Sequence, residues 1–349
     1  MRTAQLAAVL IAALVSSAAS AQGAPVLKVP DASPAASVSQ TVGLTRIVVD
    51  YHRPAVNGRK IWGALVPYGE VWRAGANENT TFTTSSPIKV GGKALAAGTY
   101  GLHMLPTAKD WTFILSKMST GWGSFSYDAK EDALRVVVHP TAAAESEERL
   151  SYRFDDVTDK SATLTLRWEK LAVPVRIDVD TPAVVMSSMR GELRGLAQFF
   201  WEPWAQAATY WLQNGGNLDE AKRFTDKSLG FGEHFRSLRA SAAIAEKKGD
   251  AKKAEALRAK ALSIAAEGEL NQFGYALLGQ KKYDEAISVF RHNVEQHPQS
   301  WNAYDSLAEA YLNKGDKSAA LDNYTRALAL VKEPANKKRI AETVARLKQ

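Results

Sequence analysis

The sequence predicts two domains of opposite class. An all-β domain, a sandwich or jelly-roll-like fold, spans 37–182, and an all-α array of repeated helical hairpins spans 190–349. Three observations carry this division. Up to about residue 180, apolar side chains alternate with polar ones in short runs bounded by turn residues. Near Ser187 the apolar period becomes helical. Within the helical part, small residues then recur at a nearly fixed spacing.

The first element is an export signal over 1–21. Arg2 gives a positive start, Leu6 to Val15 form an apolar run, and Ala19-Ser20-Ala21 offers small residues for cleavage, placing the mature end at Gln22. The run is about half of the ~20 residues that a spanning helix needs, so a retained anchor is disfavoured. No other long apolar run occurs, so no transmembrane segment is expected in the mature chain, and its destination reads as the periplasm. The chain has no cysteine, which excludes thiol catalysis, thiolate metal sites and a lipid-modified N-terminus. Residues 22–36, rich in Pro, Ala and Ser, read as a linker.

The β domain follows. Ile47, Val49 and Tyr51 form one strand face, Trp111, Phe113 and Leu115 a second, and Leu134, Val136 and Val138 a third. Leu150, Tyr152 and Phe154 continue the series, then Leu164, Leu166 and Trp168, then Val175, Ile177 and Val179. Gly91-Gly92 and Asp159-Lys160 sit where hairpin turns belong. Many short strands with little helical periodicity among them indicate antiparallel sheets.

In the helical part, Gly216, Gly249 and Gly315 each precede an alanine by five residues, and Lys281 takes the glycine position before Ala286. The alanines Ala221, Ala254, Ala286 and Ala320 are 33, 32 and 34 residues apart. The later units add Leu270, Phe273, Gly274, Leu277 and Phe290, then Tyr304, Leu307, Ala308, Tyr311, Tyr324 and Ala327. Small residues belong where two helices cross closely, with large ones filling the space beside them. This pattern resembles the tetratricopeptide repeat over about 202–349, most specifically in roughly the final 80 residues; the earlier units carry Thr225 and Arg258 where an aromatic is expected. Residues 335–349 read as a polar capping helix.

Charge and motifs narrow the chemistry. Residues 22–185 carry 18 Lys and Arg against 17 Asp and Glu, and residues 186–349 carry 25 against 20. The excess is interleaved with acids along helices, the pattern of a solvated face, and no nucleic acid is expected as a partner. No zinc-protease motif, Walker loop or nucleophile elbow is present, so no catalytic residue, cofactor or metal is assigned. Of the six histidines, His103 is placed by period two on the solvent face of its strand, opposite Tyr100, Leu102 and Met104. His52 shares a face with Arg46 and Asp50, a row that a neighbouring Ser or Thr would turn into a hydrolase constellation. An ordinary solvated sheet face is the alternative.

The segment from Tyr51 to Asn79 is rich in Arg, Trp, Asn and Gly and lacks alternation, and long structured loops of this kind usually carry function. Its candidate binding residues are Arg53, Arg59, Trp72, Arg73, Asn77 and Glu78. Arg73 and Glu78 flank Gly75, where a tight turn would present a cation, an amide and a carboxylate together to an anionic or sugar-like ligand. An internal Arg–Glu pair that pins the loop is the alternative. The stretches RPAVNGRKIWG, LVPYGEVWRAGANENTTFT and GGKALAAGTYGLHMLPT, with WTFILSK and Gly121-Trp122-Gly123 after them, resemble the bacterial exported family called domain of unknown function 2911 over about 35–180. The resemblance implies an envelope β domain and no particular activity.

The repeat register places Gln206, Tyr210, Arg236, Arg239, Asn271, Tyr275, Asn302 and Asp305 on the concave face of the array, where amides, tyrosines and two arginines suit an extended peptide. The function so predicted is an exported periplasmic scaffold, its array holding a protein or peptide partner and its β domain a further ligand. A hydrolase-like enzyme with its site in the 51–79 loops, and a structural spacer, are the alternatives.

Overall fold

The computed structural model describes residues 29–349. The signal segment over 1–21 and the first part of the linker lie outside the described residues. The chain forms two compact units, divided in sequence between Val179 and Asp180.

Among the described residues the first unit has ten strands: β1 (Ala35–Val42), β2 (Thr45–His52), β3 (Thr81–Thr84), β4 (Ile88–Val90), β5 (Lys93–Leu95), β6 (Gly98–Leu105), β7 (Trp111–Ser116), β8 (Asp132–Val138), β9 (Thr141–Asp155) and β10 (Ser161–Asp178). They build two antiparallel sheets, ordered β1-β2-β3-β6-β7-β8 and β5-β4-β10-β9. The alternation read from the sequence is the burial pattern of the core. Ile47, Val49, Phe82, Leu102, Phe113 and Leu115 of the larger sheet are buried, as are Leu164, Leu166, Trp168 and Ile177 of the smaller. Each such side chain, fully withdrawn from water, contributes about 1.5–3 kcal/mol. Tyr51 and Tyr152, one from each sheet, meet edge-on at 4.8 Å, and the Tyr152 hydroxyl reaches the Ala74 carbonyl at 2.8 Å.

Two details differ from the sequence reading. The runs Leu164–Trp168 and Val175–Val179, read as separate series, lie in β10 up to Asp178, because left-handed Glu169 (φ 52°) absorbs a bulge without ending the strand. Strand β1 starts at Ala35, within the stretch read as linker, with Ala35 opposite His52.

The second unit contains α1 (Thr181–Glu192), α2 (Trp201–Gln213), α3 (Leu218–Leu229), α4 (Phe235–Lys247), α5 (Ala251–Ile264), α6 (Glu267–Gly279), α7 (Tyr283–Gln296), α8 (Trp301–Lys314), α9 (Lys317–Leu330) and α10 (Pro334–Leu347). Helix α1 begins ahead of Ser187, where the apolar period changes, because Asp180 caps it by accepting from the Ala183 amide and Pro182 fits the first turn. Helices α2 to α9 pair into four hairpins, and Ala221, Ala254, Ala286 and Ala320 are fully buried at the crossings. Gly274 is required by contact, since a Cβ there would run into the Phe290 ring. The hairpin turns use left-handed residues: Gly249 (φ 82°), Lys281 (φ 60°) and Gly315 (φ 93°). In the first hairpin that role falls to Gly215 (φ 73°), and the matching Gly216 instead leaves room for Trp211. Helix α10 closes the end by burying Ile340 and Val344 against Ala320, Tyr324 and Ala327. Among the described residues, no helix is long and apolar enough to cross a membrane.

Candidate functional site

The 51–79 segment is fastened to the sandwich at several points. Val56 N–H donates to Glu148 O at 2.7 Å, and Trp72 exchanges backbone hydrogen bonds of 2.8 Å with Met104 of β6. These ties carry Trp62 and Trp72 onto Trp111 and Trp168. Trp62 meets the edges of Trp72, Trp111 and Trp168 at 6.0, 4.8 and 5.6 Å, while Trp72 stacks on Trp168 at 6.0 Å. Trp72 is held further by its indole N–H donating to Gly75 O at 3.1 Å. Beside this cluster lies a cleft of about 450 Å³ that collects Arg59, Trp72 and Arg73 with Glu70, Ser124, Phe125 and Trp168.

The other three candidates lie elsewhere. Arg53 donates through Nε to Leu150 O at 2.9 Å, fastening the end of β2 to β9. Asn77 donates to Ser33 O at 3.2 Å. Glu78 pairs with His52 Nε2 at 3.1 Å and lines a second, more open cleft of about 500 Å³ with Asp50, Ser37 and Thr81. The loop therefore does not present cation, amide and carboxylate together. Its backbone also departs from the reading centred on Gly75. The left-handed residues are Ala74 (φ 50°) and Asn77 (φ 53°), whereas Gly75 is needed because a Cβ would sit 2.5 Å from Thr80 Oγ1.

Arg73 has no carboxylate partner among the described residues, so the Arg–Glu pin is not formed. Its Nε is buried without an acceptor, and its guanidinium carbon lies 5.9 Å from the centre of the exposed Phe125 ring. Left-handed Gly123 (φ 63°) lets the loop approach closely, since any Cβ there would collide with Arg73 Nη1. Arg59 is committed to its own loop, donating to Val56 O at 3.1 Å and to Ala55 O.

The histidines require a correction. His103 does not face solvent; it is 3% exposed, because the segment around 118–128 covers that face of β6. Its Nδ1 shares a hydrogen bond of 2.8 Å with Ser124 Oγ. Burial pushes the imidazole down to about 4, against a smaller opposing pull from Asp132, so it is neutral at physiological pH. Tyr127, 5.2 Å from that ring, donates to Asp132 at 2.8 Å and accepts from Arg135 at 2.9 Å, and burial with the Asp132 bond raises its phenol to about 12. No carboxylate hydrogen-bonds the His103 ring among the described residues, so Ser124 and His103 form a pair, not a relay. The row at His52 gains no hydroxyl partner either, and its Nδ1 is buried without one. Among the described residues no cluster of His, Asp or Glu is arranged to hold a metal.

In the array, the candidate residues fall on a series of alternate helices, α2, α4, α6 and α8. Arg236 donates to Gln272 at 3.0 Å, Tyr275 to Glu309 at 2.8 Å, and Arg339 of α10 to buried Asp305 at 2.7 Å. Asp305 is thus neutralised within the array. Arg239 lies with its guanidinium 3.4 Å from the Phe273 ring centre and 5.3 Å from that of Phe235. Burial, and then the charge of Arg236, lower its pKa to about 10. Asn271 Oδ1 is buried without a donor, Tyr210 and Asn302 are half-buried, and Gln206 is exposed.

Comparison with known proteins follows the same division. Residues 33–177 match the family model described as "Protein of unknown function (DUF2911)", and residues 303–338 match that of the tetratricopeptide repeat. No curated protein matches the chain. Among solved structures, the chain is similar to one described as "Functional Characterization of Pseudomonas Aeruginosa pilF", with 22% identity over 43% of this chain and 68% of that one, at a TM-score of 0.26. It is also similar to "YrrB: a TPR protein with an unusual peptide-binding site", with 20% identity over 46% and 84%, TM-score 0.26, and to yeast Tom70, with 15% identity over 47% and 42%, TM-score 0.25. The N-terminal domain thus matches the DUF2911 family, and the C-terminal domain carries a tetratricopeptide repeat.

Proposed function

We propose that this protein is an exported periplasmic scaffold whose helical array holds an acidic segment of a protein partner, while its β domain binds a separate ligand. A tetratricopeptide array points to a protein-interaction scaffold in general; the acidic partner rests on one observation. Among the described residues no carboxylate pairs with half-buried Arg239, and the neighbouring Arg236 donates to the amide oxygen of Gln272. Two adjacent guanidinium groups, one partly stripped of water, repel each other until an anion arrives. A carboxylate from a partner would relieve that repulsion and accept from a planar fork already fixed by stacking on Phe273. Gln206, Tyr210, Asn271, Tyr275 and Asn302 lie on the same series of helices and offer bonds to an extended backbone.

The test is photo-crosslinking in the native envelope from a reactive residue placed at Gln206, which is exposed. A partner captured by the parent protein and lost with Arg236→Gln/Arg239→Gln supports the reading. Equal capture by the double variant removes it. Sequencing the envelope-fraction protein tests the export claim, and a chain still starting at Met1 would refute it. The hydrolase alternative now rests on Ser124 and His103, 2.8 Å apart at the β-domain cleft, in place of His52. A serine-directed phosphonate that leaves Ser124 unlabelled would dispose of it.

A further inference from the structure

Two residues that line the cleft beside the tryptophan cluster carry donors left without acceptors. Arg73 Nε and Trp168 Nε1 are both buried and have no acceptor. Among the described residues that line the cleft, Glu70 is the one acid, and it pairs with neither Arg59 nor Arg73. Leaving a charged donor buried and unmet is among the costlier defects a fold can carry. Three other arginines of this domain meet carboxylates, Arg135 with Asp132 at 2.9 Å, Arg153 with Glu147 at 2.5 Å and Arg176 with Asp178 at 2.8 Å, while Arg167, whose Nε is also buried without an acceptor, still has Asp155 at 3.8 Å. Phe125, beside Arg73 at the cleft, is 84% exposed, so an apolar face lies open next to the unmet donor. Trp72 gives the cleft a second aromatic wall.

From this we infer that the cleft binds a small organic anion, a carboxylate or phosphate head on a flat apolar body. The head accepts from Arg73, with Arg59 adding positive charge at the same cleft. The body lies against Phe125 and Trp72. This inference rests on the reading of the β domain as a binding module and names the ligand class for it. The unmet Arg73 donor selects the charge, and the exposed ring selects the body. A cation or a neutral polar sugar would leave one or the other unmet.

Calorimetric titration of the full chain with four compounds tests it: benzoate, phenyl phosphate, benzyl alcohol and inorganic phosphate. At least one aromatic anion should bind saturably, and the better of the two identifies the head group. Benzyl alcohol and inorganic phosphate should each bind at least about tenfold more weakly, because each lacks one half of the recognition. Arg73→Gln should weaken the aromatic anion at least about tenfold while its melting temperature stays close to the parent's. Phe125→Ala, whose exposed ring supports little of the fold, should weaken phenyl phosphate several-fold. That variant keeps the test decisive should Arg73→Gln fail to fold, because unchanged affinity in Phe125→Ala overturns the proposal. Binding of the anions that survives Arg73→Gln also overturns it. Benzyl alcohol binding as well as the anions removes the charge requirement but keeps a ligand-binding β domain. Silence from all four compounds removes both.

Discussion

The two domains hold themselves together over very different lengths of chain. In the β domain, Arg53 bonds to Leu150, Tyr152 to Ala74 and Asn77 to Ser33, ties spanning 97, 78 and 44 residues. In the array, the bonds Arg236–Gln272, Tyr275–Glu309 and Arg339–Asp305 span 36, 34 and 34 residues, about one repeat each. The β domain therefore stands or falls as one piece, and its cleft exists only where distant segments converge. The array is a sum of neighbouring contacts, so its face can be altered in one place without losing the rest.

The hardest blow to this contrast comes from the core. Trp168→Ala should cost about 3–5 kcal/mol, because Trp168 anchors the indole cluster under the cleft, and hydrogen exchange should accelerate throughout the ten strands together. Ala320→Leu should cost about 1–3 kcal/mol by overpacking, with exchange rising in α8 to α10 and little change in α2 to α5. Uniform loss of protection across the array would break the comparison.

Acid should separate the domains next. The folded pKa of His103 is lowered to about 4 from 6.5, so the unfolded chain takes up a proton that the folded one refuses. Stability from this group is fully present above pH 6.5 and is lost as pH falls from there to about 4, a change on the order of 3 kcal/mol. His103→Asn should flatten that limb of the β-domain stability curve. In the array, Arg190 and the Trp211 indole hold Glu220 down to about 2; its contribution is intact above pH 4.5 and declines as pH falls toward 2. Stability curves from far-ultraviolet dichroism at helical and strand wavelengths should show the strands weakening first. Coincident acid transitions would count against this order.

The smallest expected effect is at Arg239. Replacing it with Met removes a poorly solvated charge and keeps an apolar cover on Phe273, so the melting temperature should change by no more than about 3 °C, in either direction. A large drop would show that Arg239 holds the array together and is not kept for a partner.

Much of this organisation was legible in the residues. Period-two alternation located the buried faces of β2, β7, β8 and β10, and the spacing of alanines located the hairpin crossings. Arg59, Trp72 and Arg73 stood out because a non-alternating stretch so rich in Arg, Trp and Gly has no simple structural use. What escaped depends on where a loop lands. His103 alternates correctly with Leu102 and Met104, yet its face is covered by a segment of which period two says nothing. Ser124 and Phe125 follow a conspicuous Gly121-Trp122-Gly123, but sequence marks that turn without saying that it closes on Arg73. In the array, the helix that carries Asp305 was legible, but its burial and its pairing were not, because Arg339 sits a full repeat away in the closing helix.

The one-repeat ties of the array also give it the character of a ruler. Excising one hairpin, α6 with α7, would bring α8 next to α5 through the same kind of junction, leaving a shorter array that still folds. The Phe273 platform under Arg239 would go with the excised hairpin, and in the shortened register Leu307 stands in its place. Length and address are therefore separable in this molecule: the number of graduations sets how far the array reaches, and the single aromatic mark under Arg239 is fixed at one of them.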